Sequence, residues 1–566
     1  MNINSSISKS LEHENRKYHE DSSCMDCHAD AKVRNGTWVE LDKINTLDNM
    51  GWPVYLSKDE NKALFVPISH CLLTGSTGTG KSEVIIKNIL ALNSEMRDEL
   101  KPSFLVTDLK GDISTQLGNH LERNGYQVRI LNMQDSFRSA RYNFLSQIYD
   151  DYHDAIRIKE LLDNDLIGTD FGGKTYETKE EARVEANIKY LKLIEGVERA
   201  LIDISHIIIP VTDPNDKNWV DGARTMFNAL ARTLLYDSEN PQNKLTREKF
   251  TMANLIRASF STEEDFENLI DWLTRAEHIP CVSSALAANY RLRARNTRDG
   301  YATTLNTQLS EFSSNSMSAI TESSNDLNLR EIANSQKPYA IFVITDDRQK
   351  TTNSVAMMLI NDLVNELITA ADSRDEKELP RDFIFLADEF ANMPKMPNIA
   401  NKITTLRSRK IWMLMAIQSK QQLDMVYGNE TSAVISDNCD LHLFVGCNND
   451  ETKEDFARSM GNKIGTKTSF QISNDGSVSA SKFSENVPVV RKSDLDSLTL
   501  GQLYVRSRLS QNMKSYLTPF FMQELSKEKS LYKPPLRLFD PQANVYDIHV
   551  VLERERPKKN DFDDLF

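Results

Sequence analysis

The eight residues Gly75-Ser76-Thr77-Gly78-Thr79-Gly80-Lys81-Ser82 constrain this chain most. They fit G-x-x-x-x-G-K-[ST] in full and lie between an apolar strand and a helix. HCLLT (70–74) reads as a short buried strand. In the run KSEVIIKNILALNSEM that follows the loop, Val84, Ile85, Ile89 and Leu92 recur at helical spacing. Glycines let such a loop curl until several backbone N–H groups point at one phosphate chain, and the helix N-terminus adds a favourable field. Lys81 is then placed to reach the β- and γ-phosphates and the Ser82 hydroxyl to ligate Mg²⁺. The predicted nucleotide-binding residues are Gly75, Ser76, Thr77, Gly78, Thr79, Gly80, Lys81, Ser82 and Glu83.

Such a loop needs an acidic site at the end of a neighbouring strand, and FIFLADEF (383–390) supplies it. Asp388 is expected to hold Mg²⁺ through water, and Glu389 to act as the general base on the attacking water. Gln418 ends the strand IWMLMAIQ, where an amide can sense the γ-phosphate or position water. Arg407 and Arg409, in TLRSRK, precede that strand, and in a ring an arginine there can reach the nucleotide of a neighbouring subunit. The expected catalytic set is Glu389, Lys81, Gln418 and Arg407, with ATP and Mg²⁺ as cofactors.

Further buried-strand runs are SFLVTD (103–108), YQVRILN (126–132), YAIFVIT (339–345) and CDLHLFVG (439–446). Continuous apolar strands that alternate with helices indicate a mainly parallel sheet covered on both faces. Lys81 and Asp388 lie more than 300 residues apart, far more than one crossover helix requires. The intervening sequence explains the gap. WVDGARTMFNALARTLLYD puts Met226, Phe227, Leu230, Leu234 and Leu235 on one stripe, and ENLIDWLTRAEHI does so more weakly. The fold expected is α/β, a RecA-like P-loop domain interrupted by an inserted all-α domain. Residues 1–60 read as an extension with little core, 61–150 as the first part of the nucleotide-binding domain and 151–330 as the helical insertion. Residues 331–530 complete the nucleotide-binding domain, with SNDGS (473–477) as a hairpin turn, and 531–566 form a C-terminal segment with an acidic tail.

At 566 residues with 40% apolar residues, the chain can bury two or three domains. No run of about 18 uncharged apolar residues occurs and no apolar leader opens the chain, so a soluble cytoplasmic protein is expected. The net charge of −14 argues against a surface that coats itself with nucleic acid; DNA contact must be local, with Arg291, Arg293, Arg295 and Arg298 as one candidate. Most of the six cysteines lie in apolar runs and imply no disulfide framework.

Taken together, GSTGTGKS, TDLKGD (107–112), LADEFANMPKMP (386–397), AIQSKQQL (416–423) and NCDLHLFVGCNNDETKEDFARSMG (438–461) resemble the TraG/VirD-type coupling proteins of conjugative type IV secretion. These belong with the FtsK/HerA-like ring motors. The resemblance runs from about His70 to Arg508, and DEFANMPKMP is its most diagnostic piece. It implies a hexameric, DNA-dependent ATPase that receives a relaxase bound to single-stranded DNA and passes both to the secretion channel. Lys81 and Ser82 match the family's phosphate and metal residues, Asp388 and Glu389 its acidic pair, Gln418 its third motif and Arg407 its arginine finger. The helical insertion corresponds to the all-α domain that reads the substrate. Family members usually begin with transmembrane helices and none is read here; either a separate membrane protein recruits the chain to the inner face of the membrane, or it is a soluble member or a processed form. A nucleotide-dependent docking adaptor and a related FtsK/HerA-like DNA pump are the alternative readings; an adaptor would not require Glu389.

Two further features stand apart. Cys24-x-x-Cys27-His28 supplies half of a zinc tetrahedron, with His13 or His19 as possible additions, and no metal is the expectation. NDFDDLF at the C-terminus resembles the acidic tips by which single-strand-binding proteins recruit partners.

Overall fold

The structure is a computed structural model that describes residues 25–26, 32–57, 59–211, 213–242, 245–259, 295–322, 326–345, 350–472, 478–528, 530–540 and 542–548. In chain order its strands are β1 (Met25–Asp26), β2 (Thr37–Glu40), β3 (Gly51–Ser57), β4 (Lys62–Pro67), β5 (Cys71–Gly75), β6 (Ser103–Thr107), β7 (Gln127–Asn132), β8 (Asp170–Phe171) and β9 (Lys174–Thr175). They continue with β10 (Tyr339–Ile344), β11 (Phe383–Ala387), β12 (Ile411–Ile417), β13 (Leu441–Gly446), β14 (Asn462–Ile472), β15 (Val478–Pro488), β16 (Gln502–Ser507) and β17 (Met513–Tyr516).

All seven apolar runs read from the sequence become strands of one sheet. Among the described residues its order is β1-β17-β16-β13-β5-β12-β11-β6-β10-β7. The seven strands from β13 to β7 run parallel, and β16 closes that group antiparallel to β13. Every residue of β5, β6, β10, β11 and β12 is buried, as strands covered on both faces must be. Parallel pairing brings the C-terminal ends of β5, β12, β11 and β6 to one edge, which is what positions the site.

Among the described residues from Ser146 to Asn334 helices dominate, with the short β8–β9 hairpin among them. Met226, Phe227, Leu230, Leu234 and Leu235 are all buried, and they share one continuous core with Leu105, Ile341 and Phe385 of the sheet. The helix Lys350–Asp372 packs on the same face. Its stretch Asn353–Asp372 is long and apolar enough to cross a membrane by length and composition, yet 67% of it is buried inside the fold.

One expectation is corrected. Residues 37–57 are not an extension with little core: β2, β3 and β4 form an antiparallel sheet with Trp52, Val54, Leu56, Leu64 and Phe65 buried. Its apolar runs are short and straddle the boundary placed at residue 60, and a register shift between Pro53 and Tyr55 breaks the alternation. The sheet is tied to β17, where Ser515 donates to Val54 O at 2.6 Å and Thr518 N–H to Leu56 O at 3.0 Å. The C-terminal segment packs back on the rest of the fold over its described residues. Tyr532 N–H bonds to Thr115 O at 2.9 Å on the helix Asp112–Arg123, Arg537 pairs with Asp326, and buried Tyr546 donates to Asp237 in the helical region. This strap crosses from the nucleotide-binding half to the helical half. The Cys24–His28 pattern, Arg291, Arg293, the SNDGS turn, ENLIDWLTRAEHI and the acidic tip lie outside or largely outside the described residues.

Candidate active site

The loop after β5 is fixed from below by β13. Ser76 N–H donates to Gly446 O at 2.8 Å and Asn448 N–H to Ser76 Oγ at 3.0 Å. Thr79 closes the turn on Ser76 O through both its N–H (3.2 Å) and its hydroxyl (2.8 Å), leaving Thr77 and Gly78 as the exposed tip. Gly78 and Gly80 have φ of 85° and 97°, a region that side chains with a Cβ avoid, and this turns the backbone into a cradle. Lys81, 6% exposed, donates to Gly75 O at 2.7 Å across the loop. The helix opens with a wide π turn, Lys81–Ile86, before its α-helical part, Lys87–Ser94; such turns recur at functional sites. The Glu83 side chain is engaged away from the loop by buried Lys87, which also bonds Gln116 at 2.9 Å.

Ser82 Oγ donates to Asp388 Oδ2 at 2.7 Å, joining residues 306 apart in sequence. Asp388 Oδ1 is buried with no partner among the described residues. Burial raises the Asp388 carboxyl above its ordinary range, Glu389 and Asp108 push the same way, and the Ser82 bond and Lys81 oppose them. A hydroxyl and a carboxylate with one uncommitted buried oxygen, beside a glycine cradle at a helix N-terminus, fit Mg²⁺ and a phosphate chain.

Glu389 has φ 58° and ψ 47°, the left-handed region, at roughly 1–2 kcal/mol for a residue with a Cβ. The turn is held by Asn392 N–H to Glu389 O at 2.8 Å. Gln418, the residue after the neighbouring β12, approaches Glu389 Oε1 through Nε2 at 3.4 Å, and Asn392 Nδ2 donates to Oε2. Gln422 Nε2 donates to Asn392 Oδ1 at 2.6 Å, and Gln422 Oε1 accepts the Gln418 backbone N–H at 3.2 Å.

The structure therefore brings Lys81, Ser82, Asp388, Glu389 and Gln418 to one sheet edge. Arg407 is elsewhere: it pairs with Asp440 at 2.9 Å before β12 begins, seven strand residues or roughly 20 Å from Gln418. It does not reach its own chain's loop, and Arg409 pairs with Asp372. Sequence reasoning gave no role to Asp108, Asn392 or Gln422. Asp108 ends β6 as Asp388 ends β11; it is buried, accepts from Ser114 N–H (2.8 Å) and hydroxyl (2.9 Å), and burial raises its carboxyl. An acid at the end of an apolar strand was the signal available for it. For the two amides no linear signal existed.

The profile of the family described as type IV secretory system conjugative DNA transfer matches residues 10–491. No curated protein sequence matches the chain. Among solved structures, the plasmid coupling protein TrwB in complex with ADP and Mg²⁺ superposes with a TM-score of 0.55 at 16% identity, covering 90% of this chain and 99% of that one. TrwB with a non-hydrolysable ATP analogue gives 0.54 at 16% identity, covering 88% and 97%. TrwB with a non-hydrolysable GTP analogue gives 0.54 at 17%, covering 88% and 98%. At these identities the likeness establishes the fold: an α/β protein with a large, mostly parallel sheet and inserted helices. With a family profile running from residue 10 to 491 and a TrwB-like fold around the loop and acidic pair, this chain belongs to the conjugative DNA transfer family of type IV secretion, that of the TraG/TrwB-type coupling proteins.

Proposed function

We propose that this chain is an Mg²⁺-dependent ATPase that drives relaxase-bound single-stranded DNA into a type IV secretion channel, working as a ring of six. The observation that carries the reading is the junction of Ser82 with Asp388, with Glu389 and Gln418 beside it at the end of the same sheet. Family membership supplies the setting of conjugative DNA transfer, and the nucleotide complexes of TrwB support ATP as ligand.

Lys81, released from Gly75 O, would neutralise β- and γ-phosphate oxygens while the loop N–H groups hold the chain in place. Ser82 and Asp388 would hold Mg²⁺, whose charge offsets that of the phosphate oxygens. Glu389 accepts the proton of the attacking water, and Gln418 orients that water. Arg407, 56% exposed and far from its own loop, is available to the site of a neighbouring copy. On this reading the protein works at the inner face of the cell membrane.

The test is the ATPase rate of the purified protein with and without single-stranded DNA, beside Lys81→Ala and Glu389→Gln. DNA-stimulated hydrolysis that both substitutions abolish is expected. A wild-type protein that binds ATP and hydrolyses none, even when assembled as a ring on DNA, overturns the motor in favour of a docking adaptor.

A further inference from the structure

The amide of an Asn or Gln side chain can exchange its oxygen and nitrogen by a flip, but a backbone N–H can only donate. At the end of β12 that certainty propagates. The Gln418 backbone N–H must meet an acceptor, so the atom of Gln422 at 3.2 Å from it is Oε1. Gln422 then presents Nε2 to Asn392, which must answer with Oδ1, at 2.6 Å. Asn392 is left with only Nδ2 to offer Glu389 Oε2. The direction of donation is thus the same read from either end of the relay: the carboxylate can only accept, and the Gln418 main-chain N–H three groups away can only donate. Without Gln422 the Asn392 oxygen loses its donor, and the amide is no longer held in place on its far side.

The two carboxylate oxygens are held unequally. Oε2 has the committed donor, whereas among the described residues Oε1 has only the Gln418 amide at 3.4 Å, the long end of hydrogen bonding. Oε1 is therefore the oxygen left to accept a proton from water. Glu389 also sits in a left-handed turn, so the backbone launches a three-torsion side chain from an uncommon direction and contacts beyond the backbone must fix where it ends.

We propose that Asn392, oriented by Gln422, is a positioning residue for Glu389: it anchors Oε2 so that Oε1 faces the water to be activated. This deepens the reading of Glu389 as general base and rests on it. Asn392 is exposed and Gln422 half-buried, so neither is required by the core.

The experiment is steady-state ATP hydrolysis by the full chain, with wild type and Glu389→Gln as references and ATP binding as the measure of an intact site. Asn392→Ala is expected to lower kcat roughly tenfold to a hundredfold, the loss of one charge-assisted hydrogen bond, with KM for ATP changed by less than about twofold. Gln422→Glu still accepts from the Gln418 N–H but has no hydrogen for Asn392, and is expected to behave alike. The double variant is expected to fall no further than Asn392→Ala alone, because the two residues act in series. Unchanged kcat in both single variants, or losses that multiply in the double, would overturn the proposal while Glu389→Gln still differs from wild type. If wild type itself binds ATP without hydrolysing it, Glu389→Gln matches wild type. The general-base reading then fails, and this inference with it.

Discussion

Replacing Asp388 by Asn is expected to stabilise the ligand-free protein and to remove its response to Mg²⁺. Asp388 Oδ1 is buried with no partner among the described residues, at a cost of about 1–3 kcal/mol, and the charges of Glu389 and Asp108 add to it. Against this stands the Ser82 bond, about 1.5–3 kcal/mol while the carboxylate is charged and about 0.5–1.5 kcal/mol once it is an amide. Asn leaves its own buried amide atom unpartnered at a similar cost, so its gain is the removal of the buried charge and of its repulsion by Glu389 and Asp108; set against the weaker Ser82 bond, this favours Asn by about 1 kcal/mol, or about 1 °C in the melting temperature of a chain this long. The pH dependence has a definite sign. Burial raises the folded-state pKa of Asp388 above its ordinary 3.8, so the wild type has the full contribution of this group below about pH 4 and loses it as pH rises through the raised value. The advantage of Asp388→Asn should therefore be absent near pH 4 and grow toward neutrality. Adding ATP and Mg²⁺ at about 100 times Kd should stabilise the wild type by about 2.7 kcal/mol, and Asp388→Asn should lose the Mg²⁺-dependent part of this. Thermal unfolding of both proteins at several pH values, with and without the ligands, measures all of it. A ligand-free variant less stable than wild type at neutral pH would refute the reasoning, because the carboxylate would then be a net source of stability.

Two further perturbations probe other parts of the molecule. A Cβ placed at Gly118 would lie 2.4 Å from Tyr532 Cγ; Gly118→Ala should therefore lift the strap and cost about 1–2 kcal/mol in the full chain, yet stabilise a chain lacking 530–566 by about 1 kcal/mol through helix propensity. Equal effects in the two backgrounds, read by thermal unfolding and by proteolysis of the strap, would contradict the seating of Tyr532 on that helix. Arg407→Ala and Lys81→Ala should each be inactive alone, while a one-to-one mixture regains about a quarter of the wild-type ATPase rate, as random rings acting across subunit interfaces require. No recovery on mixing would place the arginine outside catalysis.

The parallel sheet was legible because strands buried on both faces must be apolar throughout, and SFLVT, YAIFVI, FIFLA and IWMLMAI leave no other reading. The phosphate loop was legible because its chemistry is local. β2, β3 and β4 were not, since each is short and their burial depends on β17, which lies some 450 residues further along. The strap escaped for a similar reason: Tyr532, Tyr546 and Ile548 are spaced by no regular period and find their partners on helices far upstream. Within the site, Asp388 and Glu389 announced themselves at the end of an apolar strand. Asn392 and Gln422 sit in turn and helix positions where an amide is unremarkable, and only the approach of β11 to β12 makes them a relay.

The place of β5 in the sheet has a consequence for how the molecule is made. Its two neighbours are β12 and β13, residues 411–417 and 441–446, although β5 itself is residues 71–75. At about 5–20 residues per second, the ribosome needs roughly 20–70 s after producing β5 before either partner exists. Through that interval a wholly apolar strand has both edges unpaired, a template for association between nascent chains. The helices from Ser146 to Asn334 emerge meanwhile and have largely local contacts to form. The nucleotide site is thus among the last parts of the chain to be assembled, and an incomplete chain cannot hold ATP through both of its halves. Fragments ending before residue 411 should aggregate, and production of the whole protein should depend on chaperones that shield extended apolar segments.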